Sequence, residues 1–135
     1  MVAARSQGYF LPMLLITANK PQRLLCLNYV GQVAPAELAG AYDELKAVVA
    51  ELPAGFRLLA DLSQGEFMAP ECMTEVGRAM ELIGQHGVGL IVRVIPDPAK
   101  DFGLNILSIF HYPRHPRTIT CHCLAEALRQ LALWK

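Results

Sequence analysis

The chain has 135 residues, a length at which a single domain, spanning residues 1–135, buries one sizeable core. Its 12 acidic and 12 basic residues cancel to a formal net charge of zero while 53% of residues are hydrophobic, so composition speaks against nucleic acid or an anionic membrane as partner. No stretch approaches the roughly eighteen consecutive apolar residues of a membrane span, since even Phe10 to Thr17 is short and carries Pro12.

Arg5 is a lone charge near the start, and Ala-Asn-Lys-Pro follows Thr17 where a secretory signal would place a small-residue cleavage site, so a cytoplasmic protein is expected. Four cysteines, Cys26, Cys72, Cys121 and Cys123, sit mostly in apolar segments without CxxC spacing, which predicts reduced, largely buried thiols and no metal.

Two apolar runs, Leu11 to Ala18 and Arg23 to Val30, flank Asn19-Lys20-Pro21-Gln22 and predict an antiparallel hairpin. Gly31 breaks the second strand, and Pro35 suits the first turn of a helix, where the missing N–H has no intrahelical partner anyway. Leu38, Tyr42, Leu45, Val49 and Leu52 recur at helical spacing with charged residues between them, until Pro53-Ala54-Gly55 ends the helix.

Phe56 to Leu62 reads as a central parallel strand, apolar without interruption through Leu58, Leu59 and Ala60. A helix is expected from Pro70 to Gln85, with Met73, Val76, Met80 and Ile83 on one face and Gly84 and Gly87 near its end. Val88 to Ile95 is the next strand, stopped by Pro96-Asp97-Pro98, and a short helix is expected over Asp101 to Tyr112. Thr118 to Cys123 alternates as a last strand, and Leu124 to Leu133 closes the chain as a helix. The order β-β-α-β-α-β-α-β-α makes an open mixed α/β sheet, an N-terminal hairpin plus parallel strands joined by crossover helices.

Four segments in this order carry a family resemblance: RLLCLNYVGQV at Arg23 to Val33, FRLLADLSQGEF at Phe56 to Phe67, the strand at Val88 to Pro96, and TITCHCLAEALRQL at Thr118 to Leu131. Together the chain resembles the STAS domain (sulfate transporter and anti-sigma factor antagonist). The resemblance implies a bacterial, non-enzymatic regulatory module that binds a protein, an anti-sigma factor or a kinase, at the start of the helix after the third strand. In the family, a serine at that helix start is switched by phosphate, which suits the free N–H groups and positive dipole end found there.

Laid over this chain without gaps, the family's Asp-Ser-(Ser/Thr)-Gly falls on Ala69-Pro70-Glu71-Cys72. Pro70 has no hydroxyl to phosphorylate. Glu71 supplies a fixed negative charge at the helix start, although an acidic first turn is also ordinary helix design. The nearest hydroxyls, Ser63 and Thr74, lack the Asp-Ser context. Ser63, Gln64, Glu66, Pro70, Glu71 and Thr74 are therefore the expected partner-binding residues, engaged without a conventional switch.

Other chemistries find less support. Cys121-His122-Cys123 in a strand would turn the cysteines one way and the histidine the other, so the three would not share a tetrahedral ion and core thiols are expected. Cys72 at a helix start has the setting of a low-pKa thiol, but no base lies near it in sequence, leaving approach by His86 or His122 as the open question. A phosphoacceptor receiver would use Asp61 yet needs an acidic pair after the first strand and a later lysine, where this chain has Asn28 to Gln32 and Pro96. Gly84, Gly87 and Gly89 form no nucleotide-binding motif, so no cofactor is expected. The stretch holding Phe102, Leu107, Phe110 and Tyr112 is more apolar than one buried helix face needs; it predicts a homodimer interface, with a small-ligand or lipid-binding protein on the same fold as the alternative.

Overall fold

The computed structural model describes residues 13–65, 70–97, 111–112 and 114–134. Its strands are β1 (Met13–Asn19), β2 (Leu24–Val30), β3 (Arg57–Asp61), β4 (Leu90–Val94) and β5 (Arg117–Cys121), and its helices α1 (Pro35–Ala50), α2 (Met73–Gln85) and α3 (Leu124–Leu133). A single 3-10 turn, Pro70–Cys72, leads into α2.

The strands form one five-stranded sheet in the order β1-β2-β3-β4-β5. β1 pairs antiparallel with β2, and every later neighbour is parallel. The hairpin turn closes through Arg23 N–H to Lys20 O at 2.9 Å, with Gln22 N–H held by the Asn19 side chain at 3.2 Å. Arg23 takes the left-handed conformation at φ 52°. That open mixed sheet is the one the sequence predicts.

Strand alternation sends side chains to two separate cores. Leu25, Leu58, Ile91 and Ile95 face α1 and α2, meeting Leu45, Val49, Met80 and Ile83. Leu59, Leu90, Val92, Val94 and Cys121 face the other way, against Ala127 and Leu131 of α3. Both faces are thus covered, which is why β3 and β4 read as near-continuous apolar runs through Leu58, Leu59 and Ala60 and through Leu90, Ile91 and Val92.

Several boundaries move from their expected places. The helix expected from Pro70 opens with the 3-10 turn and becomes α-helical at Met73, with Cys72 in the cap position and no side-chain cap. α1 ends at Ala50, yet Leu52 beyond it is still buried, so the apolar stripe outlasts the hydrogen-bonded helix. β5 stops at Cys121 rather than Cys123. Cys123 instead caps α3 with an extended backbone, φ −148° and ψ 163°, and is exposed. The expectation of a pair of core thiols therefore fails for Cys123, because the cap sets its direction and strand alternation no longer applies. Most of the helix expected over Asp101 to Tyr112 lies outside the described residues.

One buried arginine fastens α3 to the sheet. Arg57, only 8% exposed, donates from Nη1 to Leu131 O at 2.6 Å and from Nη2 to Gln22 O at 2.7 Å. Its charge thereby meets a carbonyl in the last turn of α3, the negative end of the helix dipole.

Candidate functional site

The carboxyl ends of the parallel strands and the start of α2 bring the expected partner-binding residues to one end of the molecule. Asp61 ends β3, and its Oδ1 accepts the Ser63 hydroxyl at 2.6 Å and the Ser63 backbone N–H at 2.9 Å. Its Oδ2 accepts Asn28 Nδ2 at 3.3 Å, tying the turn to β2. Leu62 N–H reaches Val94 O at 3.0 Å, and Gly31 N–H reaches Gln64 O at 2.9 Å. The loop is anchored on both neighbouring strands.

Two glycines make that anchoring possible. Gly31, at φ 69°, turns the chain out of β2 and forms an isolated parallel bridge with Gly65. A Cβ on Gly65 would stand 2.6 Å from Tyr29 Cδ1, so only a residue without a side chain lets the loop lie this close to the ring. Tyr29 in turn accepts the Val33 N–H on its hydroxyl at 3.3 Å.

Ser63, Gln64, Pro70, Glu71 and Thr74 are all exposed, while Glu66 lies outside the described residues. Between them Cys72 points inward, fully buried, with its thiol donating to Val33 O at 3.4 Å. Its place among Tyr29, Val33 and Leu38 is that of a core residue. His86 sits past the opposite end of α2, roughly 20 Å away at about 1.5 Å per residue, and bonds Leu52 O at 3.0 Å. It is not a base for Cys72. Burial pushes the Cys26 and Cys121 thiols up, the reverse of what a nucleophile needs. Among the described residues no group of three or more His, Cys, Asp or Glu is arranged to hold a metal ion.

The expected apolar surface has a different fate where it is described. Tyr112 is 6% exposed and belongs to the core on the α1–α2 side, so it offers little surface to a second subunit. Burial first, opposed by the nearby Arg93 charge, pushes its phenol up to about 12. Phe102, Leu107 and Phe110 lie outside the described residues. Beside Tyr112, His111 Nδ1 meets Glu81 Oε2 of α2 at 2.7 Å.

Sequence reasoning passed over a cavity of about 130 Å³ between the sheet and helices α1 and α2. Leu27, Leu58 and Ile91 form its sheet wall, Leu45 and Met80 its helix wall, and Arg93 and Tyr112 also line it. Arg93, the penultimate residue of β4, is 3% exposed. A signal was present: in Leu90 to Ile95 the charge falls in the same alternation as Ile91 and Ile95, on the side that packs against α1 and α2.

No family model matches the chain, and no curated protein matches it. Solved structures do. An uncharacterized DUF3478-family protein of Shewanella loihica with a SpoIIAA-like fold superposes with a TM-score of 0.70 at 13% identity, covering 92% of this chain and 98% of that one. The anti-sigma factor antagonist SpoIIAA in its unphosphorylated form gives 0.59 at 9% identity, over 88% of this chain and 97% of that one. An anti-sigma factor antagonist of Mycobacterium paratuberculosis gives 0.56 at 18%, over 89% and 93%. At such identities the likeness is one of fold: the five-stranded sheet and its helices are SpoIIAA-like.

Proposed function

We propose that this chain is a non-enzymatic regulatory module of the STAS type, cytoplasmic and built as a single domain, which binds a protein partner through the end formed by Ser63, Gln64, Pro70, Glu71 and Thr74. Glu66 belongs to the same contact stretch. The supporting observation is the convergence of these exposed residues at the start of α2 on a SpoIIAA-like fold. An anti-sigma factor or a kinase is the partner class that the fold likeness suggests. Pro70 stands where the family resemblance places a phosphorylated serine, so binding is constitutive in this reading, with Glu71 adding a fixed negative charge beside the helix start. Self-association through Phe102, Leu107 and Phe110 is a secondary part of the proposal, with subunit number readable by native mass spectrometry.

The test is capture of a purified anti-sigma factor by the immobilised chain. Ser63→Arg combined with Thr74→Arg should abolish capture, while Leu128→Arg on the far face of α3 should leave it intact. Equal capture by both variants would defeat the reading. Incubation with a serine kinase of that class and ATP should add no phosphate by intact mass; stoichiometric phosphate on Ser63 or Thr74 would restore a switch. The cavity beside Arg93 favours a second reading, a small-ligand carrier on the same fold.

A further inference from the structure

The wall of the α1–α2 cavity is apolar almost throughout, and its volume of about 130 Å³ is close to that of engineered cavities, about 150 Å³, that stay dry and take up one benzene ring. Charged groups break that wall in three places: Asp61, Glu75 and Arg93. All three are engaged by their own chain. Asp61 carries Ser63 and Asn28, Glu75 Oε1 accepts Arg78 Nη1 at 2.9 Å, and Arg93 has its interaction within the chain as well. Two tyrosines of the wall are occupied too: Tyr29 accepts the Val33 N–H on its hydroxyl, and the Tyr42 ring holds the Arg78 guanidinium 4.1 Å from its centre, bridging α1 to α2. What the wall offers a guest is hydrocarbon, from Leu27, Leu45, Leu58, Ala79, Met80 and Ile91.

We propose that this cavity binds a neutral, wholly apolar molecule about the size of one ring, held among those six side chains. The assignment rests on the small-ligand reading and names its chemical class. The driving force is the removal of apolar surface from water on guest and wall alike, which is non-directional and needs no polar partner. A carboxylate or an ammonium fares worse for a physical reason. It gives up its hydration on entry, and the charges of the wall can meet it only by giving up contacts they already make at Asp61, Glu75 or Arg93. A long fatty chain exceeds the volume.

The test uses the full chain labelled with nitrogen-15 and three probes that share a ring and differ in charge: toluene, benzoate and benzylammonium. Toluene should give saturable shifts at the Leu58, Ala79 and Ile91 amides and bind at least about tenfold tighter than either ion, a difference of about 1.4 kcal/mol. Ala79→Phe on the helix wall should fill the space and remove the response; if that variant does not fold, Ala60→Leu on the sheet wall fills it from the other side. Toluene shifts that persist unchanged in a folded filling variant overturn the assignment to this cavity. Either ion binding as tightly as toluene overturns the neutral class and leaves the small-ligand reading standing. No saturable response to any of the three probes overturns both.

Discussion

Replacing Arg57 by methionine keeps an unbranched stem of similar girth and removes both charge-assisted hydrogen bonds. Two effects oppose each other. Taking a guanidinium out of a buried site relieves its desolvation cost, and a buried ionic group replaced together with its partner is often no loss. Here, however, the partners are the backbone carbonyls of Leu131 and Gln22, which stay behind. A hydrogen bond to a charged group contributes about 1.5–3 kcal/mol, and a buried acceptor left unmet costs about 1–3 kcal/mol. The Leu131 contact is buried and counts in full, whereas the Gln22 contact is partly buried and counts for less. The net expectation is a loss of about 2–4 kcal/mol, with the unmet carbonyl outweighing the relieved charge. At roughly 3–5 °C per kcal/mol for a chain of this size, the melting temperature should fall by about 6–20 °C. Arg57→Lys retains the charge but, as a compact ammonium, reaches one carbonyl well at most, and should lose about half as much. Urea titration gives the free energies, and hydrogen exchange should show the α3 amides opening first. A methionine variant within about 0.5 kcal/mol of the parent, the range of an ordinary surface substitution, would refute the clamp.

Gly65→Ala should cost about 1–3 kcal/mol, the range for overpacking, because its Cβ would stand 2.6 Å from the Tyr29 ring; it should also weaken partner capture as the loop lifts, and urea melts with the capture assay read both. Phe56→Ala should destabilise by about 3–5 kcal/mol, since the ring is fully buried, whereas Leu133→Ala at a position 75% exposed should stay within about 0.5 kcal/mol. Tyr112 gives an alkaline signature. Its folded-state pKa is raised from 10.0 to about 12, so the neutral phenol favours the folded chain. That contribution is fully present below pH 10 and is lost as pH rises through about 12, at roughly 1.4 kcal/mol per unit in between. Urea midpoints measured across that window should fall more steeply for the parent than for Tyr112→Phe; parallel curves would refute the shift.

Local sequence carried much of the fold because several signals agreed at each element. Pro35 and the Leu38, Leu45, Val49 spacing mark α1, and the structure buries those three leucine and valine side chains. Phe56 to Leu62 and Val88 to Ile95 read as strands covered on both faces, and β3 and β4 are indeed flanked by α1 and α2 on one side and α3 on the other. The candidate site was legible in part. Ser63, Gln64, Pro70, Glu71 and Thr74 fall at the loop and helix start that the family pattern marks, and all are exposed.

What local pattern could not supply were relations between distant residues. Cys121 and Cys123 look equivalent by alternation, but where β5 ends is decided by the cap of α3, so one is buried and the other exposed. Tyr112 reads as part of an apolar surface until the fold turns it into the core beside Arg93. Arg57 and Arg93 both interrupt apolar strands as a single basic letter. Only the tertiary structure separates them, giving the first two carbonyls from residues 35 and 74 positions away and setting the second on the wall of a cavity. The sequence by itself determined the order and type of the elements among the described residues and the absence of a hydroxyl at Pro70, since periodicity, turn chemistry and residue identity are local properties. The tertiary structure decided which buried charge clamps and which lines a pocket, because a charge takes its role from the groups that folding brings around it.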